Sequence, residues 1–323
     1  MVISIPVSYI AAFFFVGMYS PCLIILFLAN MKFLLLISAG FLLCTIHSCT
    51  RTLQNANPIF AKGKILGKVS LDLEEASGLV ASIANPKHLW SLNDSGNPSD
   101  LYLINNRGEV VMKCKLKGIK NRDWESITSG RDPQSGVNYI YIGETGDNEA
   151  KYSLKFLYRI REPLVTKEDE ISIDEVEMLI IRLPDGPRDM EAIATDHVSG
   201  DLYLISKREE NVSVYILPQD QLIAGDTLIP EKIGTLPYHN VVAADFSLDG
   251  KELLIKTYDE IFYWNMADSI TVREMLMQKP DVLNYQPEPQ GESIAWALDG
   301  SGFYTLSESV DNERAKLYFY KRN

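Results

Sequence analysis

Five short segments of similar pattern recur along the chain, and this repeat constrains the fold more than any other feature of the sequence. Each begins with a small or acidic residue and soon reaches an apolar one. Successive first residues lie 48, 66, 53 and 48 positions apart, which leaves room for four short strands and their turns. The five segments are Ser77-Gly78-Leu79, Glu125-Ser126-Ile127, Glu191-Ala192-Ile193, Ala244-Asp245-Phe246 and Glu292-Ser293-Ile294.

Matching strand patterns follow each copy of the repeat, rich in the aromatic and β-branched residues that strands prefer. Second strands are predicted to begin at His88, Tyr139, Asp201, Glu252 and Phe303, and third strands at Leu101, Phe156, Val212, Ile261 and Lys316. Fourth strands are predicted at 110–116, 176–183, 232–236 and 273–277. The acidic segment 168–178 is interpreted as a loop that leads into a strand.

The fifth copy has no fourth strand of its own before the chain ends at Asn323. A strand-like segment at 65–71 stands before the first copy and has no other assignment. Adding it to the last blade closes a ring and hides the sheet edges. The sequence therefore predicts an all-β fold, a five-bladed β-propeller with four-stranded blades. The alternative is a β-sandwich, which would not be expected to repeat one motif at such regular spacing.

The first 48 residues are apolar and carry one charge, Lys32. Residues 31–48 have the basic start and apolar centre of a signal peptide. They lead into Cys49 through the segment Ile46-His47-Ser48-Cys49. This segment resembles the lipobox of bacterial lipoproteins and implies acylation of Cys49. Residues 1–30 are either an extension from a misassigned start codon or a membrane segment. We expect an exported propeller, lipid-anchored to the membrane of the bacterial cell envelope, on the periplasmic or the cell surface.

The domain boundaries follow from these segments. A polar stretch at 49–63 is predicted to be a tether, and the propeller is predicted to occupy 64–323. Only one cysteine, Cys114, lies in the propeller, within an alternating segment that should face a core. The formal charge of −12 argues against nucleic acid as a partner, and we expect a monomer.

In a propeller, the first strand of each blade lines a central channel, so the repeat should bring Ser77, Glu125, Glu191, Ala244 and Glu292 together. Three carboxylates in a narrow channel repel one another unless a cation neutralises them. Oxygen ligands favour a hard ion such as calcium. The sequence predicts calcium ligands at Ser77, Glu125, Glu191 and Glu292, with Ala244 as a gap. The alternative is that the glutamates pair with Arg122 and Arg188 or form hydrogen bonds to neighbouring blades.

The repeat resembles the inner strands of the soluble calcium-dependent apyrases, five-bladed propellers with a ring of Ser and Glu around calcium. The matching segments are 75–79, 124–127, 190–193 and 291–294. The resemblance implies the same fold and a central calcium. Ala244 replaces a Ser of that family, and no nucleotide-contacting residue is matched, so nucleotide hydrolysis is not implied. The chain also resembles bacterial propellers of the phytase-like esterase and SMP-30 types.

Two Arg-Asp-apolar-Glu motifs place further polar residues at one end of the channel. With Asn93, Glu144, Asn148, Lys207 and Arg208 they predict a polar mouth for a small molecule, a phosphate or a sugar. Candidate catalytic residues there are Asp94, Asp123, Asp147 and Asp189, which would activate water, and Arg122 and Arg188, which would hold an anion. Alternatively, these Asp residues form blade-top turns.

Other catalytic signatures are missing from the sequence. The histidines have no metal-ligand spacing, and there is no Gly-x-Ser-x-Gly motif and no phosphate-binding glycine loop. Two functions therefore remain. One is a binding or scaffold propeller at the cell envelope with calcium at its centre. The other is a calcium-dependent hydrolase of phosphate esters, nucleotides or lactones.

Overall fold

A computed structural model of the chain describes residues 58–266, 270–311 and 313–323. The predicted segments 1–30 and 31–48 and the predicted acylation site Cys49 lie outside the described residues. Within them the protein is almost entirely β-sheet, with 22 strands in five separate sheets. No helix in this described part is long and apolar enough to span a membrane.

The five sheets follow one another along the chain as blades, and the predicted five-bladed β-propeller is confirmed. A strand ahead of the first blade is β1 (Lys64–Lys68). Blade 1 contains β2 (Ala76–Ala81), β3 (His88–Asn93), β4 (Asp100–Asn105), β5 (Val110–Leu116) and, from further along the chain, β9 (Glu170–Ile173). Blade 2 contains β6 (Trp124–Arg131), β7 (Asn138–Glu144), β8 (Lys155–Arg161), β10 (Glu177–Ile181) and β14 (Thr227–Leu228).

The last three blades have four strands each. Blade 3 contains β11 (Met190–Thr195), β12 (Leu202–Ser206), β13 (Val212–Leu217) and β15 (Glu231–Leu236). Blade 4 contains β16 (Val241–Phe246), β17 (Glu252–Thr257), β18 (Ile261–Asn265) and β19 (Asp281–Val282). Blade 5 contains β20 (Ser293–Trp296), β21 (Gly302–Leu306), β22 (Lys316–Lys321) and β1.

The first strand of each blade lies on the inside of the ring. β2 contacts β6, β6 contacts β11, β11 contacts β16, β16 contacts β20, and β20 contacts β2. Every residue of β2, β11 and β16 is buried, because these strands meet neighbours on both faces. The inner strands therefore surround one central axis, as the repeat predicted.

The ring is closed by the segment before the first blade, as expected. β1 pairs antiparallel with β22 and becomes the outer strand of blade 5. The compact unit that holds the blades spans Pro58–Asn323, and it includes residues ahead of the predicted boundary at residue 64. Phe60 is buried against Trp296 and Phe303, and it forms a β-bridge with Arg322. Part of the predicted tether thus belongs to the propeller core.

Two predictions about outer strands were wrong. Residues 273–277 form no strand. They fall largely in a short helix, Val272–Leu276, which Thr271 and Glu274 cap reciprocally. The fourth strand of blade 4 is β19 instead. The segment interpreted as a loop, 168–178, contains β9, which extends blade 1 by pairing in parallel with β5.

Hydrophobic side chains fill the spaces within and between neighbouring blades. One such cluster joins Val80 and Trp90 of blade 1 to Ile127 and Ile142 of blade 2. Cys114 belongs to it and is fully buried, and burial raises the pKa of its thiol to about 12. Its predicted role as unreactive core packing agrees with these observations.

Candidate functional site

The ring residues project from the inner strands at β-bulges. In blades 1, 2 and 3 the pairing of the first two strands skips one residue, at Ser77, Glu125 and Glu191. A bulge inserts one unpaired residue and re-aims its side chain. The repeat motif therefore marks the places where the inner strand leaves regular pairing at the channel.

Blade 4 departs from the predicted alignment. Its bulge falls at Val242, so Val242 and not Ala244 is the counterpart of the glutamates. The neighbouring Asp245 is buried and accepts a hydrogen bond from the backbone N–H of Trp296 at 2.7 Å. Burial raises the pKa of Asp245 to about 8. The ring position that lacks a polar side chain is thus occupied by the apolar side chain of Val242.

The channel below the ring is narrow. Ser77, Glu125, Glu191 and Glu292 are all buried. The cavity beneath them has a volume of about 10 Å³ and is lined mainly by small and apolar side chains such as Gly78, Ile127, Ile193 and Ile294. The chemistry of the channel is therefore concentrated in the ring and in the mouth above it.

The mouth is built from residues that lie one or two positions after the second strand of each blade. The backbone N–H groups of Asp94, Gly146, Lys207 and Glu308 donate to the carbonyl oxygens of Glu75, Asp123, Asp189 and Gln290, respectively. The recurrence of this hydrogen bond in four blades shows that these residues occupy equivalent places. Tyr258 follows β17 in blade 4 and reaches the same region, because its hydroxyl donates to Oε1 of Glu292 at 2.5 Å.

One half of the ring carries its own cation. Nζ of Lys207 lies 2.8 Å from Oε2 of Glu191 and 3.7 Å from Oε1 of Glu292, and all three side chains are buried. Burial opposes the charged form of Lys207, but the two carboxylates outweigh it and hold the pKa of Lys207 above its usual range. The ammonium therefore offsets one of the two carboxylate charges in this half of the ring, while burial still raises the pKa of Glu191 to about 8 against the effect of Lys207.

The other half of the ring has no such partner. Carboxylate oxygens of Asp94, Asp123 and Glu125 all lie within 4.8 Å of one another. Glu125 is 6% exposed, and among the described residues no Lys or Arg forms an ion pair with any of the three. We call these three side chains the acidic triad.

The electrostatics of the acidic triad reflect this lack of a cation. Burial raises the pKa of Asp94 to about 6, against a hydrogen bond from the backbone N–H of Ser95. Burial and the carboxylate of Glu191 raise the pKa of Glu125 well above its usual value. Burial and the carboxylate of Asp189 raise that of Asp123. A cation bound here would offset both the cost of burying these carboxylates and the repulsion between them.

Gly146 provides the space for the acidic triad. A Cβ at this position would lie 2.4 Å from Oε1 of Glu125 and 2.5 Å from Cγ of Asp123, closer than real contacts allow. The equivalent places in blades 1, 3 and 5 carry Asp94, Lys207 and Glu308. Because blade 2 has a glycine there, the carboxylates of Asp123 and Glu125 occupy the volume that a side chain takes elsewhere.

The other candidate catalytic aspartates are held by nearby groups. Asp147 pairs with Lys155 at 2.7 Å, and both side chains are buried. It also accepts hydrogen bonds from the backbone N–H groups of Lys151 and Tyr152. Asp189 accepts from the backbone N–H of Asp147 at 2.7 Å and from Arg208. Asp147 therefore organises a turn, as the alternative interpretation expected.

The two candidate arginines point away from the ring. Arg122 lies 3.1 Å from Glu144 and stacks over the ring of Tyr152. Arg188 pairs with Asp185 and Glu209 and donates to the hydroxyl of Tyr215. The pairing of these arginines with the ring glutamates was therefore wrong, and Lys207 lies beside Glu191 and Glu292 instead. The other part of that alternative agrees with the structure at Glu292, which accepts a hydrogen bond from Tyr258 of the neighbouring blade.

Sequence reasoning missed Tyr258 and Glu308 at the mouth. Burial raises the pKa of Glu308 to about 7, with further contributions from Glu292 and Asp94. The position that follows each second strand carried a usable signal, because Asp94 and Lys207 had been identified there from the sequence. Reading that position in all five blades would have found both residues.

Comparisons with known proteins identify no family for this chain. No protein-family model and no curated protein matches the chain. Similar solved structures include a chain of a nidogen/laminin complex at 12% identity, covering 72% of each chain with a TM-score of 0.43. A luciferin-regenerating enzyme matches at 12% identity, covering 82% of this chain and 95% of the other, with a TM-score of 0.44.

A third similar structure is the Dos1 propeller, at 12% identity and a TM-score of 0.38, covering 76% of this chain and 68% of the other. At these values the similarities carry no functional argument. The assignment as a propeller rests on the strand pairing and on the closed ring of inner strands.

Proposed function

We propose that this protein is an exported, lipid-anchored propeller of the bacterial cell envelope that binds calcium at the mouth of its channel and serves as a binding protein or scaffold. The observation that carries the calcium site is the acidic triad, in which a nine-tenths buried carboxylate, that of Glu125, faces two further carboxylates without a cation. Calcium binds six to eight oxygens, so backbone carbonyls and water would complete the shell.

The proposed ligands differ from the ring of four that the sequence predicted. Glu191 and Glu292 already share the ammonium of Lys207, which competes with any metal ion for their oxygens. Ser77 uses its hydroxyl as a donor to the carbonyl oxygen of Trp124 at 2.9 Å. The site therefore moves off the axis, towards blades 1 and 2.

The export and the lipid anchor are supported by sequence alone, through the signal-like segment 31–48 and the lipobox-like Ile46-His47-Ser48-Cys49. Mass spectrometry of the mature N-terminus from cells tests this part. An acylated Cys49 is the expected result, and an N-terminus at Met1 or Met31 would contradict it.

A matched pair of variants tests the calcium site. In calcium titrations of the full-length protein in detergent, Glu125→Gln is expected to weaken binding at least about tenfold, because it removes a ligand charge. Glu191→Gln is the control at the equivalent place in the next blade, and it should leave affinity within about threefold of wild type, a difference of under 1 kcal/mol. Equal losses in both variants would restore the axial ring, and no calcium binding by wild type would overturn the site.

The alternative function, calcium-dependent hydrolysis of phosphate esters, nucleotides or lactones, has weaker support. It needs an anion-binding arginine at the mouth, and Arg122 and Arg188 are engaged with Glu144, Asp185 and Glu209. Turnover of a panel of these substrates with calcium, lost in Glu125→Gln, would nevertheless establish it over the binding role.

A further inference from the structure

The face of the propeller opposite the mouth carries a repeated feature that the calcium site does not use. The second strand of each blade ends at the mouth, so the turns that join the first and second strands lie at the other end of the channel. We call this side of the propeller the turn face. In blades 2 to 5 the N–H of a glycine at the end of the turn donates to the carbonyl oxygen of its first residue, which closes the turns 132–136, 196–200, 247–250 and 297–300.

Turn formation explains the aspartates and glycines of these four segments. The glycines have φ between +67° and +81°, a conformation that other residues rarely adopt. Each aspartate side chain accepts a hydrogen bond from the backbone N–H two residues further on, at 2.9 to 3.2 Å. These aspartates are Asp132, Asp196, Asp249 and Asp299. Turn formation does not require the larger apolar residue that three of the turns also contain.

These apolar residues are exposed on the turn face. Val198 is 64% exposed and Leu248 is 44% exposed, and Leu298 in blade 5 is partly exposed. Val198 lies against the next turn, because a Cβ on Gly250 would be 2.9 Å from its Cγ2. Val198 and Leu248 therefore belong to one apolar surface that spans blades 3 and 4.

A loop of blade 2 adds two further apolar side chains to the turn face. Leu164 and Val165 are exposed and follow β8, which ends at this face because it runs antiparallel to β7. Asn85, in the turn of blade 1, fixes the loop. Its Nδ2 donates to the carbonyl oxygen of Pro163 at 2.9 Å, and its Oδ1 accepts from the N–H of Val165 at 2.7 Å. We call Val198, Leu248, Leu164 and Val165 the apolar tips.

The chain also enters the propeller on the turn face. β22 pairs antiparallel with β21, so it ends beside the turn that precedes β21. There the N–H of Arg322 donates to the carbonyl oxygen of Ser301 at 2.8 Å. Nδ2 of Asn323 donates to the carbonyl oxygen of Pro58 at 2.6 Å. Pro58, the first described residue, therefore lies on the turn face.

The chain length ahead of Pro58 limits how the propeller can face a membrane. Cys49, the proposed acylation site, precedes Pro58 by nine residues. Nine residues span at most about 32 Å when fully extended. The seven residues of β7 rise about 23 Å between the turn face and the mouth. A chain of this length brings the turn face to the bilayer easily, whereas turning the mouth to the bilayer would use most of its reach.

We propose that the turn face is a membrane-contact surface, in which the apolar tips rest in the interfacial layer of the bilayer that holds the lipid anchor and the mouth faces away from it. Apolar side chains gain free energy by leaving water for this layer. The four turns contain aspartates and no Lys or Arg, so the contact does not depend on anionic headgroups. The inference rests on the proposed lipid anchor and uses none of the calcium ligands.

Fluorophores at opposite ends of β7 test this orientation. Gln134→Cys, in the turn before β7, and Glu149→Cys, in the loop after it, provide exposed thiols, whereas Cys114 is buried and should not react. The protein purified from cells is reconstituted in phosphatidylcholine vesicles that carry a nitroxide quencher on the lipid. Quenching should be at least about threefold stronger at 134 than at 149, because the two ends of the strand lie roughly 23 Å apart. Equal quenching, quenching at neither position or stronger quenching at 149 would overturn the proposal.

A double variant tests whether the apolar tips make the contact. Val198→Ser/Leu248→Ser should reduce the quenching at 134 by about half or more, because it removes apolar contact and leaves the anchor in place. Leu71→Ser is the matched control and should not change it. Leu71 is 63% exposed, close to the value for Val198, but it lies on the side of the mouth, where Nδ2 of Asn93 donates to the carbonyl oxygen of Asp72 at 2.8 Å.

The remaining outcomes separate this inference from the proposed function. Unchanged quenching in the double variant would overturn the role of the apolar tips. Stronger quenching at 134 on addition of phosphatidylglycerol would show contact through basic residues and would also overturn it. An unacylated Cys49 would overturn the lipid anchor and this inference together. An acylated protein that fails the labelling test would overturn this inference alone.

Discussion

The two halves of the channel mouth begin from the same motif and reach opposite electrostatic states. On the side of blades 3 and 5, Glu191 and Glu292 share the ammonium of Lys207. On the side of blades 1 and 2, Glu125 faces Asp94 and Asp123 without a cation. The inner strand supplies a glutamate in each case. The residue after the second strand decides whether that glutamate is neutralised within the protein or left for a ligand.

This comparison also explains why like-charged residues can remain close together. Glu191 and Glu292 are held near each other by an internal cation, and this arrangement stabilises the closed ring. Among the described residues the acidic triad has no paired cation, so the repulsion among its buried carboxylates should destabilise the folded state. The calcium site proposed above would exchange this stability for affinity.

The largest effect is expected from removing the internal cation. Lys207→Met leaves Glu191 and Glu292 buried without a positive charge, and it should reduce the free energy of unfolding by about 3–5 kcal/mol. Denaturant unfolding measures this, with Lys151→Met, an exposed lysine, as the control. The double variant Lys207→Met/Glu191→Gln should recover part of the loss. An unchanged unfolding midpoint in Lys207→Met would contradict the view that Lys207 compensates the carboxylates in one half of the ring.

Neutralising equivalent glutamates should change stability in opposite directions. In calcium-free buffer, Glu125→Gln should raise the free energy of unfolding by about 1–2 kcal/mol, because it removes a buried charge beside two others. Glu191→Gln should lower it by about 1–3 kcal/mol, because it removes the 2.8 Å partner of Lys207. Saturating calcium should cancel the advantage of Glu125→Gln. Changes of the same sign in both variants would contradict the comparison.

The smallest effect concerns Glu308, at the edge of the mouth. Burial and nearby carboxylates raise its pKa from the ordinary value of 4.5 to about 7. Between these values the folded state binds more protons than the unfolded state, so stability should fall as pH rises from about 4.5 to about 7. The side chain is partly exposed, so we expect its share to be no more than about 1 kcal/mol after screening.

Glu308→Gln should remove this share of the pH dependence. Calcium-free melts of wild type and variant across pH 4 to 8 measure it, and the two curves should separate towards higher pH, where the variant is more stable. Parallel curves would show that burial and the carboxylates of the mouth do not shift the ionisation of Glu308. Asp299→Asn, in a turn outside the mouth, serves as a control. Hydrogen bonds lower the pKa of Asp299, so this variant should not reduce the fall in stability with rising pH.

Much of the fold could be predicted because the relevant signals are local and repeated. Glu125, Glu191 and Glu292 recur at blade spacing, and each is followed by strand patterns and turns. The strand that closes the ring was identifiable because it had no other partner, and β1 pairs with β22 as that argument requires. The short helix Val272–Leu276 was missed because its capping box was overlooked and a fourth strand was expected there.

The sequence by itself determined the five blades, the closing strand and the presence of glutamates in the channel, because each depends on residue periodicity that is visible along the chain. Only the tertiary structure decided which glutamate has a cation and which does not. Lys207 is separated from Glu191 along the chain, and Asp94 is separated from Glu125. Each pair meets only where strand ends converge. It also decided that Val242 fills the gap, because a bulge is a property of strand pairing, and a one-residue shift in pairing changes which side chains face the channel.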